Sequence, residues 1–276
     1  MAKIVFEGVR KTFGDFTALD GIDLEIRSGE FLVVVGPSGC GKSTLLDLLG
    51  GLSAPTAGRI LLDGKPVTGP GLDRGIVFQQ YALLPWRTAL GNVEFGLEAT
   101  GVPRRERKAR AREFLDLVGL TGFEDRHPHQ LSGGMRQRVA IARSLAYDPD
   151  VLLMDEPFAA LDAQTRESLQ DELRRIWQRT GKTVVFITHG IEEAVYLGQK
   201  VAVMTSRPGR IKEIVPVAFG ERPGTGTGTG TGSGTGPQGE ELRSSPEFAR
   251  YRHEIWTLLH DEVARAQQLE KEEASV

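Results

Sequence analysis

A glycine-rich stretch at residues 36–44, with the sequence GPSGCGKST, constrains the fold of this chain more than any other feature. It follows an apolar run at residues 31–35 and precedes a leucine-rich run at residues 45–49. This pattern predicts a buried strand, a loop and a helix. The spacing G-x-x-x-x-G-K-[ST] is that of a phosphate-binding loop, where backbone N–H groups and the positive end of the helix dipole converge on an anion.

Two side chains of this stretch carry specific expectations. Lys42 would reach the β- and γ-phosphates of a nucleotide, and the Ser43 hydroxyl would bind Mg²⁺. A plain glycine turn between strand and helix is the alternative interpretation. The apolar strand before the loop and the leucine-rich helix after it favour nucleotide binding.

The bulk composition excludes several classes of protein. The 276 residues are 39% hydrophobic and 26% charged, with a formal net charge of −3, which argues against nucleic acid as a partner. No run approaches the roughly 18 apolar residues of a membrane-spanning helix, and the N-terminus lacks a signal-peptide pattern. We therefore expect a cytoplasmic protein that reaches a membrane only through a partner.

The chain has a single cysteine, Cys40, which excludes an internal disulfide. Its position before the helix predicts a lowered thiol pKa and alkylation that a bound ligand blocks. A small residue that fills the loop is the alternative to a redox role.

The pattern of elements predicts an α/β protein with two additions. Short apolar stretches separated by turn residues in residues 3–35 predict an antiparallel layer ahead of the phosphate loop. Residues from about 88 to 135 are rich in helix-forming residues and predict an inserted helical subdomain. We assign residues 1–220 to this nucleotide-binding domain.

The C-terminal part has a different composition. Residues 224–236 alternate Gly with Thr or Ser, so we assign residues 221–240 to a flexible linker. We expect residues 241–276 to be a helical tail. The pattern of residues 246–268 predicts an amphipathic helix within it. Its apolar stripe is expected to dock on the same domain or on a partner, and consists of Phe248, Ile255, Leu258, Leu259 and Val263.

Polar side chains follow three of the predicted buried strands. Gln79 follows one strand, Asp155 and Glu156 follow a second, and His189 follows a third. Ligands of open α/β sheets bind beyond the carboxyl ends of the strands. A Mg²⁺ ion there would compensate the buried carboxylate of Asp155, and Glu156 could polarise an attacking water. The alternatives are that Gln79 opens a surface loop and that His189 is a structural residue.

Three further features have two interpretations each. The segment Ser132-Gly133-Gly134 precedes a helical stretch and predicts a second anion site. Phe13 could stack on a nucleobase, although the residues alone favour a buried core position. The apolar side chains of Leu83, Leu84 and Trp86 could bind a partner protein or could pack inside the fold, and the sequence supports both interpretations equally.

Taken in order, these motifs resemble those of the ATP-binding subunits of ABC transporters. The motifs are the phosphate loop, Gln79, the signature Leu131-Ser132-Gly133-Gly134, the Asp155-Glu156 strand end and His189. The resemblance covers residues 3 to about 216. It implies a P-loop NTPase with a RecA-like, mostly parallel core, an antiparallel β subdomain and an inserted α-helical subdomain. It also implies a dimer in which two chains sandwich two ATP molecules, each signature facing the partner's phosphate loop.

The resemblance implies a role for each matching residue. The catalytic residues would be Lys42, Gln79, Glu156 and His189. The nucleotide contacts would be Phe13, Gly36, Pro37, Ser38, Gly39, Cys40, Gly41, Lys42, Ser43, Thr44, Ser132, Gly133 and Gly134. The Mg²⁺ ligands would be Ser43, Gln79 and Asp155, while Asp162 would lie at the dimer interface. For Phe13 this reverses the interpretation from the residues alone.

A narrower resemblance is to importer subunits of the nitrate, sulfonate and taurine group, of which the taurine type looks closest. It rests on residues 68–71, 77–86, 206–210 and 243–248. It implies a peripheral protein at the cytoplasmic face of the cell membrane, with membrane permease subunits and, indirectly, an extracytoplasmic solute-binding protein as partners. The solute would be a small oxyanion.

Two rivals to transport follow from the same motifs. A non-transport ABC ATPase acting as a mechanical switch is disfavoured by the near-neutral charge and the single ATPase unit. A P-loop kinase leaves the signature unexplained. The departures from the family pattern are Met135, where Gln is commoner, and Gly190, where Asp is usual and would cap a helix.

Overall fold

The computed structural model describes residues 3–219 and 239–273. The strands of these residues are β1 Ile4–Phe13, β2 Phe16–Ile26, β3 Phe31–Val35, β4 Ala57–Leu62, β5 Lys65–Pro66, β6 Arg74–Val77, β7 Val151–Asp155, β8 Thr183–Ile187, β9 Lys200–Met204 and β10 Ile211–Pro216. The helices are α1 Lys42–Gly50, α2 Ala89–Ala99, α3 Arg104–Leu117, α4 Gly133–Ala146, α5 Ala163–Thr180, α6 Ile191–Leu197, α7 Gly239–Arg243 and α8 Pro246–Glu273. Of the predicted linker, residues 221–240, residues 221–238 lie outside the described residues.

The larger sheet has the order β10-β9-β3-β8-β7-β6, and its strands are parallel except for β10. Both β3 and β8 are buried along their whole length, as expected for parallel strands covered on both faces. The register pairs Val34 with Ile187 and Ile187 with Asp155. The carboxyl ends of β3, β7 and β8 therefore lie side by side.

The smaller sheet is antiparallel, with the order β2-β1-β4-β5. Helices α2 and α3 and a 3₁₀ turn at Pro128–Gln130 lie between β6 and α4. The prediction of an α/β fold with an antiparallel layer and an inserted helical segment is thus confirmed.

Strand β3 separates two hydrophobic cores. Phe31, Val33 and Val35 face the core formed with the helices that follow β6. Leu32 and Val34 face the core formed with α1 and the antiparallel sheet. This division follows from the alternation of side chains along a strand, and it anchors the phosphate loop in both cores.

The C-terminal helix α8 packs on the same chain. Phe248, Ile255 and Leu259 are buried in the core that also contains α6. The prediction that the whole apolar stripe docks is wrong for Val263, whose side chain is 39% exposed. The buried carboxylate of Glu262 accepts a hydrogen bond from the Ser206 N–H at 2.9 Å and thereby fixes α8 to the loop after β9. In the described part of the chain, the helices are too short or too polar to cross a membrane.

Candidate nucleotide site

The phosphate loop joins β3 to α1 with a backbone that requires glycine. Gly39 and Gly41 have φ values of 71° and 98°, in the left-handed region that side chains disfavour. A Cβ at Gly41 would also lie 2.7 Å from Leu19 Cδ2. The buried Lys42 ammonium donates hydrogen bonds to the Gly36 carbonyl at 2.9 Å and to the Pro37 carbonyl at 3.0 Å. The cation is therefore held against the loop.

Cys40 differs from its prediction. Its side chain is 1% exposed, and it occupies the space that a Cβ at Gly36 would need, 2.7 Å from the Cys40 Sγ. Burial raises the pKa of the Cys40 thiol, and this effect exceeds the opposing influence of Lys42. The prediction of a lowered pKa is therefore wrong, because the thiol packs beneath the loop.

Cys40 should accordingly resist alkylation in the folded protein, with or without nucleotide. A buried thiol that stays protonated is a poor nucleophile. We expect a thiol reagent at neutral pH to label Cys40 only after denaturation, as measured by mass spectrometry. Rapid labelling that ATP prevents would contradict this expectation.

The ends of β7 and α1 bring together a hydroxyl and a carboxylate. The Ser43 hydroxyl at the start of α1 faces the Asp155 carboxylate at the end of β7 closely enough to favour its charged form. Burial raises the pKa of Asp155, and the nearby carboxylates of Glu156 and Asp47 raise it further, while Ser43 lowers it. This oxygen donor set matches the ligands that Mg²⁺ takes in proteins, usually with substrate phosphates as additional ligands.

The next residue, Glu156, faces His189. The Nδ1 atom of His189 lies 3.2 Å from Oε2 of Glu156. Glu156 has a φ of 43°, which is uncommon for a residue with a side chain. Its N–H donates to the Ile187 carbonyl at 3.0 Å, so strand β8 fixes this conformation. The adjacent strand ends thus hold a carboxylate and an imidazole in contact beside Asp155.

Two other predicted site residues lie at exposed positions. Gln79 is exposed two residues beyond the end of β6. Phe13 ends β1 and is 53% exposed, with the Lys11 ammonium 4.9 Å from its ring centroid. The interpretation of Phe13 as a buried core residue is therefore wrong. In the apolar group after β6, Trp86 is 72% exposed, whereas Leu83 packs partly against the core.

The signature residues begin α4. The exposed Ser132 caps this helix, and its hydroxyl accepts a hydrogen bond from the Met135 N–H at 3.2 Å. A Cβ at Gly134 would lie 2.6 Å from Thr165 Cγ2, so the close approach of α5 requires glycine. Asp162 caps α5 by accepting from the Thr165 N–H at 2.9 Å.

Comparison with known proteins places this chain in a family. The ABC transporter family pattern matches residues 19–159. The chain belongs to this family. An uncharacterized ABC transporter ATP-binding protein of Methanocaldococcus jannaschii is 57% identical over 90% of this chain and 86% of its own length. The taurine import ATP-binding protein of Pseudomonas putida is 51% identical, over 86% of this chain and 87% of its own length.

Solved structures agree with this assignment. A dimeric ATP-binding cassette in a post-hydrolysis state, bound to ADP and Pi, is 36% identical with a TM-score of 0.68. The match covers 78% of this chain and 99% of that cassette. The ABC protein described here is therefore an ATPase with the P-loop NTPase fold.

Sequence reasoning missed a group of buried polar residues behind His189. Gln170, Thr188 and Glu193 are at most 9% exposed. Burial raises the pKa of Glu193, against the influence of hydrogen bonds from Thr188 and Gln170. The signal for this group in the sequence was Glu193 in the short helix after His189. A charged residue that is buried there requires hydrogen-bonding partners, such as Gln170 and Thr188.

Arg207 was missed as well. Its Nη2 atom lies 2.9 Å from the position that a Cβ of Gly39 would take. Its guanidinium also lies 5.5 Å from the Phe16 ring centroid. Arg207 therefore lies against Gly39 of the phosphate loop.

Proposed function

We propose that this chain is the ATP-hydrolysing subunit of an importer for a small oxyanion, with taurine or another sulfonate as the solute. The observation that carries the ATPase site is the convergence of Ser43, Asp155, Glu156 and His189 beside the phosphate loop. The solute class rests on the taurine import relatives, including one from Rhizobium johnstonii that is 51% identical over 88% of this chain.

The loop and the strand ends divide the chemistry between them. Backbone N–H groups of residues 36–44 and the Lys42 ammonium bind the phosphates. Ser43 and Asp155, with Gln79 from the loop after β6, would hold Mg²⁺, which would neutralise charge on the phosphate oxygens. Phe13 stacks on the adenine, in keeping with its exposed ring.

Hydrolysis needs a group that orients and polarises the attacking water. Glu156 does this in the proposal, because its carboxylate follows Asp155 directly and is fixed by β8. His189 contacts the γ-phosphate and the same water, in agreement with its contact to Glu156. Most of the catalytic effect is positioning and electrostatic stabilisation of the transferring phosphoryl group.

A second copy of the chain completes the site in this proposal. The exposed Ser132, with Gly133 and Gly134, offers a helix N-terminus to the γ-phosphate held by the partner. Support comes from the related cassette that is a dimer bound to ADP and Pi.

The remaining partners follow from the importer assignment. Membrane permease subunits dock beside the loop of residues 79–86, where Trp86 is an exposed apolar side chain. The chain is then peripheral at the cytoplasmic face of the membrane, and an extracytoplasmic solute-binding protein supplies the solute. Nothing in the net charge favours nucleic acid as a partner.

Deletion of the gene in its source organism tests the solute. We expect loss of growth and of radiolabelled taurine uptake with taurine as the only sulfur source, and normal growth on sulfate. The parent gene should restore growth, and a Glu156→Gln gene should not. Loss of growth on nitrate as the only nitrogen source would favour nitrate import instead. Normal uptake, with retention of the protein on ribosomes or DNA, would favour a mechanical switch.

A further inference from the structure

A chain of buried and partly buried hydrogen bonds connects the short helix α7, which precedes α8, to the end of β8, where His189 lies. Arg243 Nη2 donates to Gln170 Oε1 at 2.7 Å, and Gln170 Nε2 donates to Glu193 Oε1 at 2.8 Å. The Thr188 hydroxyl donates to Glu193 Oε2 and accepts from the Gly190 N–H at 2.9 Å. These contacts reach from a residue late in the sequence to both neighbours of His189.

The orientation of the Gln170 amide is fixed from both sides, by Arg243 as a donor and by Glu193 as an acceptor. A guanidinium only donates, so it selects the amide orientation in which Gln170 Oε1 faces Arg243. The Nε2 group of Gln170 then faces the Glu193 carboxylate. Without Arg243, Gln170 Oε1 loses its donor, so a buried amide oxygen is left unpaired and Gln170 is held only by its contact with Glu193.

The position of His189 depends on the same contacts. The hydrogen bond from the Gly190 N–H to the Thr188 hydroxyl spans His189, and the Thr188 N–H donates to the Val34 carbonyl at 3.2 Å. The His189 side chain itself is 68% exposed, so its direction is set chiefly by this backbone.

Arg243 is also fixed on its other side. Its guanidinium lies 3.9 Å from the centroid of the Tyr196 ring of α6, a cation–π contact. The neighbouring Leu242 is 3% exposed in the core. Arg243 lines a cavity of about 710 Å³ together with Glu156 and His189. The arginine thus lies at the wall of the space into which the reacting groups open.

We propose that Arg243 is a positioning residue for His189, acting through Gln170, Glu193 and Thr188. The C-terminal helices then take part in ATP hydrolysis. This inference rests on the role of His189 given under the proposed function.

The first test is an Arg243→Met variant, which keeps the length of the side chain and removes its donors. We expect kcat for ATP hydrolysis to fall about tenfold, as for the loss of one hydrogen bond to a charged group, with KM for ATP changed less than about twofold. Arg243→Lys, which keeps a donor, should recover part of kcat. The matched control is Arg250→Met. The Arg250 guanidinium also lies over a tyrosine ring, 4.7 Å from the ring centroid of Tyr251, but Arg250 is exposed on α8. We expect the kcat of this variant to equal that of the parent.

The second test separates positioning from general stability. Gln170→Met should reproduce the fall in kcat with Arg243 intact, and thermal unfolding followed by circular dichroism identifies any variant that does not fold. In a His189→Ala background, Arg243→Met should not lower the residual rate further. An equal fall in that background would overturn the inference.

The outcomes distinguish this inference from the proposal on which it rests. If His189→Ala hydrolyses ATP at the parent rate, the role of His189 fails. If His189→Ala is impaired but Arg243→Met and Gln170→Met keep the parent kcat, only the positioning role of Arg243 fails.

Discussion

A Glu156→Gln variant is expected to bind ATP as tightly as the parent and to lose at least about 100-fold in turnover, the range for removal of a general base. The amide keeps the size of the side chain and its contact with His189, 3.2 Å away in the parent, but cannot accept a proton from water. Because binding persists while hydrolysis stops, the variant should accumulate as an ATP-bound dimer, measurable by gel filtration with ATP.

A matched control is Glu167→Gln. Glu167 is exposed and lines the same cavity as Glu156, and the same chemical change there should leave turnover unaltered. Hydrolysis by Glu156→Gln at the parent rate would show that another group activates the water.

The second large effect is expected for Ser132→Arg. Ser132 is exposed at the start of α4, and a long cationic side chain there would block the approach of a partner's phosphate loop. Hydrolysis should fall to background. The affinity of the monomer for ATP, measured by equilibrium binding with a fluorescent analogue, should stay within about twofold, because in the proposed dimer Ser132 contacts the partner's nucleotide.

Ser132→Ala controls for the helix cap. Both variants lose the hydrogen bond from the Met135 N–H, which costs about 1 kcal/mol of stability. Only the arginine adds bulk and charge. A large loss of ATP affinity in the Ser132→Arg monomer would place Ser132 at the nucleotide of its own chain and contradict the shared site.

Much of the site was predictable because its residues follow strands in short local motifs. Asp155 and Glu156 end a run of apolar residues, and the register of β7 against β8 places them beside His189. The glycine-rich spacing likewise predicted the turn of the phosphate loop, where Gly39 and Gly41 have positive φ values.

The errors concern burial, which depends on distant parts of the chain. Cys40 is buried because Gly36 leaves space for its thiol, so packing dominates over the helix dipole. Phe13 is apolar yet exposed, because β1 ends there at the margin of the antiparallel sheet. The link from Arg243 to Gln170 joins residues 73 positions apart, and no local pattern predicts such a pair.

The placement of β3 between two cores has a mechanical consequence. A strand packed tightly on both faces cannot bend or slide without opening voids on one side. The phosphate loop is therefore a rigid platform, and any displacement driven by hydrolysis must be taken up elsewhere. The exposed turn around Trp86, outside both cores, is one place in the described part of the chain where such a displacement can occur.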